Sequence, residues 1–168
     1  MLSNFDLEEL VTNYGIELNA IVMKDELARI KPRNGNYFVN LQSSDEGSGT
    51  HWVCLVIRNT NCFYCDSFGM PPPTDVIDFC KKIPKSTLGF SIENIQNIET
   101  ETCGWYGLGL LIFIKRYKIP NIYMASSDYL KMFNEDTLDN NKILIKYFKS
   151  VSRFTKKNDI LKILYKQK

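Results

Sequence analysis

The chain has one histidine, His51, in 168 residues. A zinc site built by the usual tetrahedral rule wants four ligands, and the Cys62-x-x-Cys65 pair has neither a second such pair nor a neighbouring histidine to complete the set. On a strand those two cysteines would also face opposite sides, so no metal is expected. No apolar stretch reaches the roughly 18 residues that a membrane-spanning helix needs. The first residues, Met1 to Glu9, lack the basic start and apolar core of a secretory leader, so none is expected. Cysteines number five, an odd count that suits free thiols in a reducing compartment better than a disulfide framework. A glycine-rich phosphate loop is missing as well. Gly104, Gly107 and Gly109 lie inside an apolar run, where they permit close helix packing at about 1 kcal/mol each relative to alanine.

What remains is an ordinary globular composition, 44% hydrophobic and 24% charged, in a length that fits one domain over residues 1–168. Charge is unevenly spread. Residues 1 to 80 carry five basic and eleven acidic side chains, whereas 142 to 168 carry nine basic and one acidic. The basic part, about 120–168, is expected to be helical and could meet nucleic acid or an acidic partner. Lys142, Lys146 and Lys149, like Lys162 and Lys166, recur at helical spacing, which a solvated helix face explains equally well.

Periodicity places the elements. Leu7, Leu10, Val11 and Tyr14 predict a first helix, with Ser3 or Asn4 as its cap and Gly15 as its stop. Asn36 to Gln42 and His51 to Arg58 predict strands, the second apolar enough to be buried on both faces, and Asn59-Thr60-Asn61 turns it into a hairpin with Cys62 to Asp66. Three prolines, Pro71 to Pro73, end the sheet there. A helix capped by Thr74 or Asp75 runs to Lys82, and Phe90 to Ile98 is expected to be extended. Cys103 to Lys118 predicts a central helix stopped by Ile119-Pro120, followed by helices at Asp128 to Phe133, Asn140 to Phe148 and Asp159 to Tyr165. The order implies an α+β fold.

Chemistry gathers around four residues. His51 enters a strand whose hairpin partner ends at Asp66, which brings imidazole and carboxylate to one end of the sheet; such a carboxylate fixes the imidazole tautomer and stabilises its charged form. Taken singly, His51 suits a structural role and Asp66 the capping of the turn at Ser67-Phe68-Gly69. Cys103 opens the apolar helix, where free backbone N–H groups favour a thiolate and can hold an oxyanion, and Gly104 leaves room for a substrate backbone. A core cysteine is the other reading, and it is the one taken for Cys54 and Cys80. Gln96, seven residues before Cys103, offers a neutral amide N–H toward a reacting carbonyl, although alone it would be a surface glutamine.

In this order the residues resemble the adenovirus-type cysteine proteases and their relatives in virophages, polinton-like elements and large DNA viruses. The resemblance lies in Gly49-Thr50-His51-Trp52-Val53, in Tyr64 to Pro72, in Gln96 and in Cys103-Gly104-Trp105, with weaker support from Met23 to Leu27 and Tyr37 to Leu41. It covers about residues 20 to 115. It implies a papain-like fold of the adenain and SUMO-protease type: a central mixed sheet packed by helices, with the nucleophile at the N-terminus of a buried helix. It further implies Cys103 as nucleophile, His51 as general base, Asp66 as its partner and Gln96 as oxyanion donor. Trp52 matches the tryptophan that helps form a narrow substrate tunnel in SUMO-specific proteases, so Trp52 and Gly104 are expected to bind substrate with Gly or another small residue before the scissile bond.

The implied function is a viral maturation endopeptidase for capsid or core precursors, in the host cytoplasm or virus factory or packaged in the virion. An enzyme acting on host ubiquitin-like conjugates and a non-catalytic, DNA-associated structural protein are the alternatives. No cofactor is required by the resemblance, a monomer is expected, and DNA or a short peptide as activator follows only by analogy. Two departures stand out: Gly107 occupies the place of a second cysteine found in many relatives, and Asp66 stands where some carry glutamate.

Overall fold

The computed structural model describes residues 1–152. Its α+β architecture is a five-stranded mixed sheet with helices on both faces. The strands are β1 (Ala20–Met23), β2 (Gly35–Asn40), β3 (Trp52–Arg58), β4 (Asn61–Cys65) and β5 (Thr87–Phe90), in the spatial order of the sequence. β2, β3 and β4 pair antiparallel, whereas the two edge strands, β1 and β5, join them in parallel. The helices are α1 (Asn4–Asn13), α2 (Thr74–Lys81), α3 (Cys103–Tyr117), α4 (Ile122–Leu130) and α5 (Asn140–Ser152), with 3₁₀ segments at Lys24–Arg29 and Thr137–Asp139.

Side-chain alternation along the central strands creates two cores. Phe38, Trp52, Cys54, Val56, Phe63 and Cys65 face α1, α3, α4 and α5, and Tyr37, Val39, Val53, Leu55, Ile57, Cys62 and Tyr64 face α2. Cys62 and Cys65 therefore do lie on opposite faces. α3 is buried from Cys103 to Ile114, because a helix apolar on every side must be covered on every side. Each large apolar side chain sealed there contributes about 1.5–3 kcal/mol.

Local signals explain most of the boundaries. Ser3 caps α1 through a reciprocal pair with Asp6, and Gly15 stops it at φ +60°. Other boundaries differ from expectation. α2 is capped by neither Thr74 nor Asp75: Pro73 is its N-cap and accepts the Val76 and Ile77 N–H groups through its carbonyl. The strand expected over Phe90 to Ile98 ends at Phe90, because Ile95 and Gln96 turn their N–H groups to the Ser67 carbonyl instead of a neighbouring strand. The helix expected from Asp128 begins at Ile122, where the Asn121 side chain accepts the N–H groups of Tyr123 and Met124. β1 had no matching expectation, since four residues give too short a pattern to read. The helix expected at Asp159 to Tyr165, with Lys162 and Lys166, lies outside the described residues.

Candidate active site

The β3–β4 hairpin pairs Cys54 with Cys65, so the residue before β3 and the residue after β4 emerge at one end of the sheet. These are His51 and Asp66. His51 Nε2 lies 2.8 Å from Asp66 Oδ1, with the imidazole 14% exposed and the carboxylate 1% exposed. The same oxygen accepts the Phe68 backbone N–H at 2.8 Å, and the Tyr64 hydroxyl stands 3.5 Å from the other. Both readings of Asp66 therefore hold at once: it caps the turn and it grips the imidazole. Ser91 braces its backbone, accepting the Asp66 N–H and donating to its carbonyl at 3.0 Å each.

α3 enters the same end of the sheet from below. Cys103 is its first residue, 4% exposed, and its sulfur is among the groups that raise the proton affinity of the His51 ring. With Nε2 committed to Asp66, Nδ1 is the ring nitrogen left for a second partner. The Trp52 backbone N–H also points at the sulfur, 3.4 Å from Sγ. Helix geometry leaves the first N–H groups of α3 without intrahelical partners, at the positive end of its dipole. No side-chain cap occupies the helix start, since Thr102 makes no such bond.

Electrostatics favour a charged imidazole. Burial works against it, but the hydrogen bond to Asp66 and the charge of that carboxylate, with a further contribution from the neighbouring Cys103, outweigh that and push His51 up to about 9. The other thiols have no such neighbour. Burial drives Cys54 far above the ordinary thiol range and Cys65 up to about 12, so both are inert at neutral pH. Cys62 and Cys80 share the α2-side core, away from the only imidazole, and each acts on the other's proton affinity.

Gln96 is buried and held at both ends of its amide. Ser67 Oγ donates to Oε1 at 2.7 Å, and Nε2 donates to the Thr100 carbonyl at 2.6 Å, three residues before Cys103. That pairing fixes which end of the amide carries the hydrogens and leaves the second N–H of Nε2 for another acceptor.

Trp52 and Gly104 sit deeper than a cleft wall. The indole is 5% exposed and donates through Nε1 to the Leu2 carbonyl at 2.7 Å. A Cβ on Gly104 would stand 3.2 Å from Leu2 and 3.4 Å from Leu7 side-chain carbons, so the chain's own N-terminal segment fills that space. Trp52 touches the sulfur through its main chain.

Sequence reasoning missed three participants: Ser67, Phe68 and the Trp52 N–H. One signal was available for Phe68. The register that pairs residues 54 and 65, continued past the strand ends, sets 68 opposite 51. The two rings stack, with centroids 4.9 Å apart and planes 28° from parallel.

Among the described residues, no cluster of three or more His, Cys, Asp or Glu is arranged to hold a metal, and no helix is long and apolar enough to cross a membrane. Neither a protein-family model nor a curated protein matches the chain.

Proposed function

We propose that the chain is a cysteine endopeptidase of the adenain type, with a papain-like fold, in which Cys103 attacks, His51 moves the proton and Asp66 holds His51. One observation carries this reading: the only imidazole in the chain bonds a buried carboxylate, and the residue next to it, Trp52, directs its backbone N–H at the sulfur of a cysteine that opens a helix.

In this reading His51 Nδ1 takes the Cys103 proton, and the sulfur attacks the scissile carbonyl carbon. The negative charge that develops on the carbonyl oxygen is met by N–H groups at the start of α3 and by the remaining N–H of Gln96 Nε2. The tetrahedral intermediate collapses as the imidazolium returns the proton to the departing amine, leaving a thioester on Cys103. His51 then takes a proton from water, the hydroxide displaces sulfur, and acid product and thiol are restored. Asp66 accepts from Nε2–H throughout and keeps the ring in place.

The depth of the sulfur supports substrates with Gly or another small residue before the scissile bond, since a nucleophile only 4% exposed admits little side chain. Capsid or core precursors processed during virion maturation, in the infected cytoplasm, a virus factory or the particle, are the substrates that the resemblance suggests. The same narrow approach suits the Gly-Gly terminus of a ubiquitin-like protein, which makes host conjugates the second substrate class.

Incubation of the protein with capsid precursors and, separately, with ubiquitin-like precursors, beside Cys103→Ala, tests both. New termini mapped by mass spectrometry are expected with the wild-type chain only, and the precursor that yields them decides the substrate class. Equal cleavage by Cys103→Ala would remove the sulfur from the mechanism.

A further inference from the structure

Phe68 is a large aromatic residue that belongs to neither hydrophobic core. It is half-buried, on the turn after β4, and its ring lies against the His51 imidazole. The turn gives it no freedom to swing away. The Ser67 carbonyl accepts the Ile95 and Gln96 N–H groups, and the Gly69 N–H returns to the Asp66 carbonyl. Gly69 itself has φ +70°, and a Cβ there would meet the Ile92 carbonyl oxygen at 2.6 Å. The backbone N–H of Phe68 meanwhile holds the carboxylate oxygen that takes His51 Nε2.

We propose that Phe68 is a positioning residue for the His51–Asp66 pair, its ring holding the imidazolium face-on while its backbone N–H fixes the carboxylate oxygen. The role rests on the protease reading of the site, although its first test does not depend on it. Three effects follow from the stack. An aromatic face favours the charged ring over the neutral one. Contact along the imidazole plane opposes the flip that would exchange its two nitrogens and break the bond to Asp66. Cover over the His51–Asp66 bond also keeps water out, which strengthens the electrostatic interaction between them. The groups that face the imidazole are Asp66 from the turn after β4 and Cys103 from α3, with the Tyr64 hydroxyl from β4 at the second carboxylate oxygen. The same Asp66, Cys103 and Tyr64 remain when the Phe68 ring is changed.

His51 is the only histidine, so its ring signal in a proton–carbon NMR titration is unambiguous in the full-length protein. The wild-type midpoint is expected at about 9. Phe68→Leu keeps bulk and the backbone N–H but loses the π face, and its midpoint should fall by roughly 0.5 to 1. Phe68→Tyr should restore it. In parallel, alkylation of Cys103 by iodoacetamide at pH 6, followed on its own peptide by mass spectrometry, should slow about three- to tenfold in Phe68→Leu and recover in Phe68→Tyr. With a cleavable peptide the loss should fall on kcat and leave KM unchanged. Identical midpoints in wild type and Phe68→Leu, or a failure of Phe68→Tyr to restore the wild-type value, would overturn the positioning role. Wild-type Cys103 reacting at pH 6 no faster than a free cysteine would instead overturn the protease reading, while the His51 titration would still decide the contribution of Phe68.

Discussion

At Asp66, one carboxylate oxygen serves both a turn and an imidazole, and the consequences can be separated by single substitutions. Asp66→Asn keeps an oxygen for the two N–H donors but removes the charge that holds His51 protonated. Activity should fall about 10²-fold or more, with the His51 midpoint moving down from about 9, as read by peptide cleavage and by NMR. A wild-type midpoint in that variant would deny Asp66 its role. Proton affinity at His51 also bears on stability. Its ordinary value is 6.5 and the folded chain raises it to about 9, so the folded state holds the proton more tightly than the unfolded state. The resulting stabilisation is complete below about pH 6.5, declines as pH rises toward about 9, and is gone above it, with a size of at most about 3 kcal/mol. Urea unfolding of wild type and His51→Gln should show a wide gap at pH 6 and a narrow one at pH 10. A gap that stays constant would rule out the raised affinity.

Helix α3 carries its function on a surface that leaves no slack. Gly107 lies against the sheet, where a Cβ would stand 2.7 Å from the Phe38 ring and 3.2 Å from Cys54 Cβ. Gly107→Ala gains about 1 kcal/mol of helix propensity and loses about 1–3 kcal/mol to overpacking. The net expectation is a Tm lowered by a few degrees, about 2–6 °C, in a thermal melt monitored by circular dichroism. An unchanged or raised Tm would mean that the helix can shift away from the sheet. The position of Cys103 depends on that packing, so the same variant should also slow its alkylation. Gly109 meets a comparable limit, since its Cβ would run into the Tyr129 hydroxyl, which donates to the Tyr106 carbonyl. The three glycines thus do the packing work that their place in an apolar run implied.

Over the described residues, the candidate site lies at one end of the sheet, and α5 presents a row of lysines. On α5, Lys142, Lys146 and Lys149 are exposed, while Leu144, Tyr147, Phe148 and Val151 bury the opposite face. Lys142 pairs with Asp139, a surface ion pair worth little. If these lysines contact nucleic acid, replacing all three by Gln should reduce the slope of log affinity against log salt by about 2–3, measured by fluorescence anisotropy with duplex DNA. An unchanged slope would leave α5 as a solvated helix face.

Periodicity and composition determined much of this protein unaided: the β3–β4 hairpin that brings His51 and Asp66 together, the capped first helix, the buried α3, and the opposed faces of Cys62 and Cys65. Those features depend on neighbours within one or two turns or one strand pairing, which local patterns encode. Tertiary structure alone decided that Trp52 reaches the sulfur through its backbone, that Leu2 fills the space beside Gly104, that Ser67 sets the Gln96 amide, and that Phe68 covers His51. The Trp52–Cys103 contact spans 51 residues of chain and Ser67–Gln96 spans 29. No period carries across such distances; register and packing density settle which atoms meet.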